Sequence, residues 1–91
     1  MSREAPRFER AVALIEAELG DELVALDAAR GQCFGFNSVA ATVWQFLDQP
    51  RSASEIEVEL TRLYDVEEAQ CRQEVADLLV ELQARGLINR A

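Results

Sequence analysis

Side chains able to do chemistry are scarce in this chain of 91 residues, which has no histidine, two cysteines and a single tyrosine. A zinc site draws about four N, S or carboxylate ligands from a compact spacing. With no CxxC pair and no His, no metal site is expected. The carboxylates of Glu55, Glu57 and Glu59, and of Glu67, Glu68 and Glu74, read as a solvated face. General acid–base work would require a pocket and perturbed pKa values, and nothing in the sequence indicates either. No run resembles a catalytic motif. The most specific stretch is Gly31-Gln32-Cys33-Phe34-Gly35-Phe36-Asn37, with Trp44 following on a helical pattern. It reads as a strand-to-helix corner, and the chain as a recognition protein rather than an enzyme.

The elements that position this corner belong to one small domain spanning residues 1–91. Forty-nine per cent apolar and 29% charged residues are ordinary for a globular chain. The net charge of −8 argues against nucleic acid, whose phosphates are neutralised by Lys and Arg. It also disfavours an anionic membrane surface, and no apolar run approaches the roughly 20 residues that span a bilayer. The charged N-terminal stretch from Met1 to Arg10 lacks an apolar core of the export-signal kind, so the cytoplasm is the expected compartment. There, Cys33 and Cys71 are expected to be reduced and partly buried.

Phe8, Val12, Ile15 and Leu19 suit an amphipathic helix by their spacing. The alternation around Val12 and Leu14, with Gly20-Asp21 after it, equally suits a strand entering a hairpin. Glu22 to Asp27 reads as a strand. Gly31 can supply the left-handed conformation of the turn into the next strand, Gln32 to Phe36. There Phe34 and Phe36 share one face, and Cys33 and Gly35 the other. The period then changes. Asn37 or Ser38 can cap a helix carrying Ala40, Val43, Trp44 and Leu47, which Asp48-Gln49-Pro50 ends. Ser52 and Glu55 form a capping-box pattern for a second helix with Ile56, Leu60 and Leu63. A third is predicted from near Asp65 to Arg85 through Cys71, Val75, Leu78 and Leu82, with Leu79 broadening its apolar stripe. Gly86 fits the position after its end, with Leu87 folding back onto Leu82. The sum is an α+β domain of three strands followed by three helices.

This ordered set resembles the D protein of pyrroloquinoline quinone biosynthesis and its relatives, the recognition elements of ribosomally made, modified peptides. The carriers are Val24-Ala25-Leu26-Asp27, Gly31 to Asn37, Ala41 with Trp44, Ser52 through Tyr64-Asp65-Val66, Glu74-Val75 to Leu82, and Gly86-Leu87-Ile88. Together they cover about residues 20 to 88. Cys33 departs from a common aromatic and Phe36 from a common Leu. The resemblance implies a winged helix-turn-helix-like fold with a three-stranded antiparallel sheet, the first segment being a strand. It implies a non-catalytic protein without a cofactor. Such a protein binds the leader of a precursor peptide as an added strand and passes it to a separate leader peptidase or modifying enzyme. The lasso-peptide type is favoured over a chaperone for a radical enzyme in quinone-cofactor synthesis.

An edge strand satisfies an extended peptide through its backbone, so specificity falls to the pockets beside it. The resemblance implies a groove between this strand and the third helix, so the expected contacts are Gln32, Cys33, Phe34, Gly35 and Phe36 on the strand, with Cys71, Glu74, Val75, Leu78 and Leu82 on the third helix. Alternation alone leaves open which face of the strand lines the groove. A winged-helix DNA-binding protein and an obligate subunit of a larger enzyme are the competing classes.

Overall fold

The computed structural model describes residues 5–91; the first four residues of the N-terminal stretch discussed above lie outside the described residues. The chain runs β1 (Arg7–Arg10), β2 (Ile15–Leu19), β3 (Glu22–Asp27), β4 (Gln32–Phe36), α1 (Ser38–Phe46), β5 (Arg51–Ser52), α2 (Ala53–Leu63), α3 (Glu68–Ala84) and β6 (Ile88–Arg90). The three-stranded antiparallel sheet β2-β3-β4 and the three helices after it form the expected α+β, winged helix-turn-helix-like arrangement.

The first segment is strand, not helix, and it is broken into β1 and β2 at Ala11–Leu14. β1 leaves the main sheet to join a second one in the order β5-β1-β6. Phe8 lies opposite both Arg51 and Arg90, so the small sheet ties the two ends of the chain together. Its strands are too short and too charged to show alternation, and their partners are remote in sequence. α3 begins at Glu68 rather than near Asp65. Tyr64 is extended (φ −127°, ψ 147°), which turns the chain out of α2, and Val66 N–H bonds back to the Tyr64 carbonyl.

Local chemistry explains the remaining boundaries. The side chain of Asn37 accepts a hydrogen bond from Ala40 N–H (2.9 Å) and starts α1. Ser52 and Glu55 close both halves of the capping box of α2, at 2.8 and 3.2 Å. Gly86, at φ +73°, ends α3 in a Schellman motif, with Leu87 N–H on the Leu82 carbonyl and Gly86 N–H on that of Gln83.

The core lies between the inner sheet face and the helices. Leu23, Ala25, Phe34 and Phe36 project from the sheet onto Val43, Trp44, Ile56, Val75, Leu79 and Leu82. Burial of each such large aliphatic or aromatic side chain contributes about 1.5–3 kcal/mol. Leu63, expected in the α2 stripe, is half exposed. A polar clamp locks the sheet to α1. Arg10 donates twice to the Trp44 carbonyl (2.6 and 3.1 Å) and lies 4.5 Å from the Trp44 ring centroid, while Trp44 Nε1 donates to Glu16 (3.2 Å). Buried Asp27 anchors the β3–β4 turn by accepting Arg30 N–H at 3.2 Å.

Candidate peptide-binding groove

β4 is the outermost strand of its sheet: it pairs with β3 on one side and with nothing among the described residues on the other. The hairpin geometry says which of its backbone groups are unused. β2 and β3 are joined by the two-residue turn Gly20-Asp21, so Leu19 and Glu22 form the closing hydrogen-bonded pair. Alternation along β3 then turns the backbone of Leu23, Ala25 and Asp27 toward β4, where they meet Phe36, Phe34 and Gln32. The N–H and C=O groups of Cys33 and Gly35 are left facing the free edge.

Beside that edge runs a cavity of about 420 Å³ between β4 and α3, lined by Cys33 to Asn37, Ala40, Leu78, Glu81, Leu82 and Arg85. An adjoining cavity of about 330 Å³ continues it past the start of α1, between Val39 and Ala40 on one side and Glu74, Asp77 and Leu78 on the other. Asn37, Ala40, Leu78 and Glu81 line both, so the two make one groove. The groove lies on the side of β4 to which Phe34 and Phe36 point, since those rings pack inward and close its floor. Cys33 and Gly35 carry their side-chain positions on the outer sheet face, in rows with Leu26 and Ile15 and with Val24 and Ala17.

The predicted contact residues divide accordingly. Cys33, Phe34, Gly35, Phe36, Leu78 and Leu82 come together around the first cavity, and Glu74 borders the second. Gln32 is exposed at the start of the strand and lines neither. Cys71 and Val75 do not reach the groove: they are 2% and 1% exposed, packed in the core. The Cys71 thiol lies 3.8 Å from the Glu57 carbonyl. Burial, and then the Glu57 and Glu74 carboxylates, push its pKa up, which leaves it protonated and inert as a nucleophile. The reason is rotational: α3 buries Cys71, Val75, Leu79 and Leu82, and the helix turns Leu78 to the edge of that stripe. Asn37, Val39, Ala40, Glu81 and Arg85 were not foreseen. Glu81 and Arg85 share the Leu78 face at i+3 and i+7, a spacing readable once that face is known to border a groove.

The arrangement offers unpaired backbone groups along one wall, an apolar floor and a charged opposite wall. That suits an extended peptide, whose backbone can pair along the free edge while its side chains reach the floor and the charged wall. The family model described as coenzyme PQQ synthesis protein D (PqqD) matches residues 22–88. The chain belongs to the PqqD family. Its fold is similar to that of TbiB1 in complex with the TbiA(β) leader peptide (25% identity, TM-score 0.76), over 89% of this chain and 94% of that one. It is similar too to lasso peptide synthetase B1 complexed with the leader peptide (26%, TM-score 0.72; 90% and 96% covered). A third similar structure is the solution structure of the PqqD truncation of Methylobacterium extorquens PqqCD, a functional, stand-alone recognition element. It shares the fold at 24% identity and TM-score 0.69, over 97% of this chain and 92% of that one. No curated protein matches the chain. Among the described residues no helix is long and apolar enough to cross a membrane.

Proposed function

We infer that this protein binds the leader segment of a ribosomally made precursor peptide by strand addition to β4, over the groove toward α3. The carrying observation is the coincidence of that free edge with the cavity beside it. Membership of the PqqD family and likeness to two B1-type proteins held with leader peptides support the same reading, and they favour the lasso type. The protein acts without catalysis of its own, in the cytoplasm, and delivers the leader to a separate peptidase or modifying enzyme. Backbone pairing at Cys33 and Gly35 supplies sequence-tolerant affinity, and side chains over Leu78 and Leu82 supply choice.

Duplex DNA is a poor fit to this surface. The outward flank of α3 carries Glu74, Asp77 and Glu81 against Arg85, and the whole chain is net acidic. A fluorescence-polarisation titration tests the reading with three labelled probes: a lasso-type leader, a quinone-cofactor leader and a DNA duplex. Saturable binding of the lasso-type leader alone is expected. Binding of the cofactor leader alone would move the protein to that pathway. Binding of the duplex in moderate salt, or of no leader, would overturn leader recognition.

A further inference from the structure

The second cavity differs from the first in chemistry. Its floor is apolar, from Val39, Ala40 and the half-buried Leu78, and its rim is carboxylate, from Glu74 and Asp77. Neither carboxylate has a cation within ion-pair distance among the described residues. Among the described residues Glu74 accepts a side-chain hydrogen bond only from Gln70 Nε2 (3.2 Å) and Asp77 only from Gln73 Nε2 (2.9 Å). Glu81, which borders both cavities, is already paired with Arg85 at 3.0 Å. The start of α1 faces the same cavity and carries about half a unit of positive charge, which only partly offsets two full carboxylates. The first cavity is balanced by contrast, because Arg85, which pairs with Glu81, lines it as well.

A floor that receives methylenes beneath an uncompensated acidic rim fits one class of side chain, an amphipathic cation whose stem lies on carbon while its head stays in water. We propose that this second cavity is a subsite for a lysine or arginine of the bound peptide, placed just beyond the segment that pairs with Cys33 and Gly35. The inference rests on leader binding at β4. It adds that the leader is basic where it passes Asn37 and is under no charge requirement where it passes Gln32. The two carboxylates also draw a basic segment toward the groove from solution, so they fix register as well as adding affinity.

The test is a selection from a random-peptide display library on the wild-type protein and on the Glu74→Lys/Asp77→Lys double variant. Both positions are exposed, so the variant is expected to fold, and circular dichroism is the control. Wild type is expected to enrich extended peptides with Lys or Arg at one fixed position beside an apolar paired segment. The variant is expected to lose that preference or exchange it for Asp or Glu. Replacing the selected lysine by norleucine should weaken binding by about threefold to tenfold and remove most of its salt dependence. Peptides enriched without a basic position, or with the same basic position in both proteins, would overturn the subsite and leave leader binding standing. Enrichment of no peptide by either protein would overturn both.

Discussion

Gly35 shows how a residue can be explained by what it leaves free. Its φ is not positive, and a Cβ built on it meets no atom within 4 Å, so neither the backbone nor the packing of this chain demands glycine. A glycine in a strand interior destabilises by roughly 0.5–1 kcal/mol relative to alanine. The open space lies on the outer sheet face at the edge where a peptide would add, which is where close approach by a ligand favours glycine. Two proline substitutions separate the roles of neighbouring backbones. Gly35→Pro removes an N–H that faces the free edge. It should cost at least tenfold in leader affinity, read by fluorescence polarisation, with little change in thermal stability. Phe34→Pro removes an N–H that bonds to β3 and should lower the melting temperature by many degrees. Equal loss of stability in both variants would contradict the assigned alternation. Strand periodicity placed Phe34 and Phe36 opposite Cys33 and Gly35 from the sequence; that the phenylalanine side faces the groove came only from the fold.

Among the elements, α2 is the one whose start is held by a complete reciprocal cap. Ser52→Ala should destabilise the domain by about 1 kcal/mol, visible as a lower denaturation midpoint at unchanged slope. The cap also makes stability depend on pH. Its hydrogen bond from the Ser52 backbone, above all, and the nearby Arg7 and Arg51 guanidinium groups hold the Glu55 carboxyl below the ordinary range. A depressed folded-state pKa contributes stability above the unfolded value, which is lost as the pH falls through the folded value. Glu55→Gln keeps the geometry of the cap but cannot titrate. Wild type should therefore lose more melting temperature than the variant as the pH drops below about 4.5. Parallel pH profiles would refute the linkage. The capping box and the Gly86 ending were legible in sequence because each is settled within six residues of chain, whereas the choice between Asn37 and Ser38 as the cap of α1 was left to the structure. The start of α3 was not. Asp65 and Glu67 are both plausible openings, and the extended turn at Tyr64 chooses the later one.

At the scale of the whole molecule, a small domain with an open groove and a free sheet edge is a body whose stability a ligand should raise. A leader at a hundred times its dissociation constant adds about 2.7 kcal/mol, which for a domain of this size is on the order of a 10 °C or larger rise in melting temperature. Scanning calorimetry with and without peptide checks this, and an unmoved transition under saturating peptide would contradict binding to the folded state. The sequence by itself determined the class of element at most positions, because periodicity, caps and turns act over a few residues. It also determined the scarcity of catalytic groups, since composition needs no fold to be read. Only the tertiary structure decided that residues 7–19 break into strands serving two sheets, because the partners of β1 lie more than forty residues away. Only it decided that Cys71 and Val75 are core while Leu78 borders the groove. A helical stripe tells which residues are apolar, and the angle at which the helix meets its neighbours tells which of them remain in reach of a ligand.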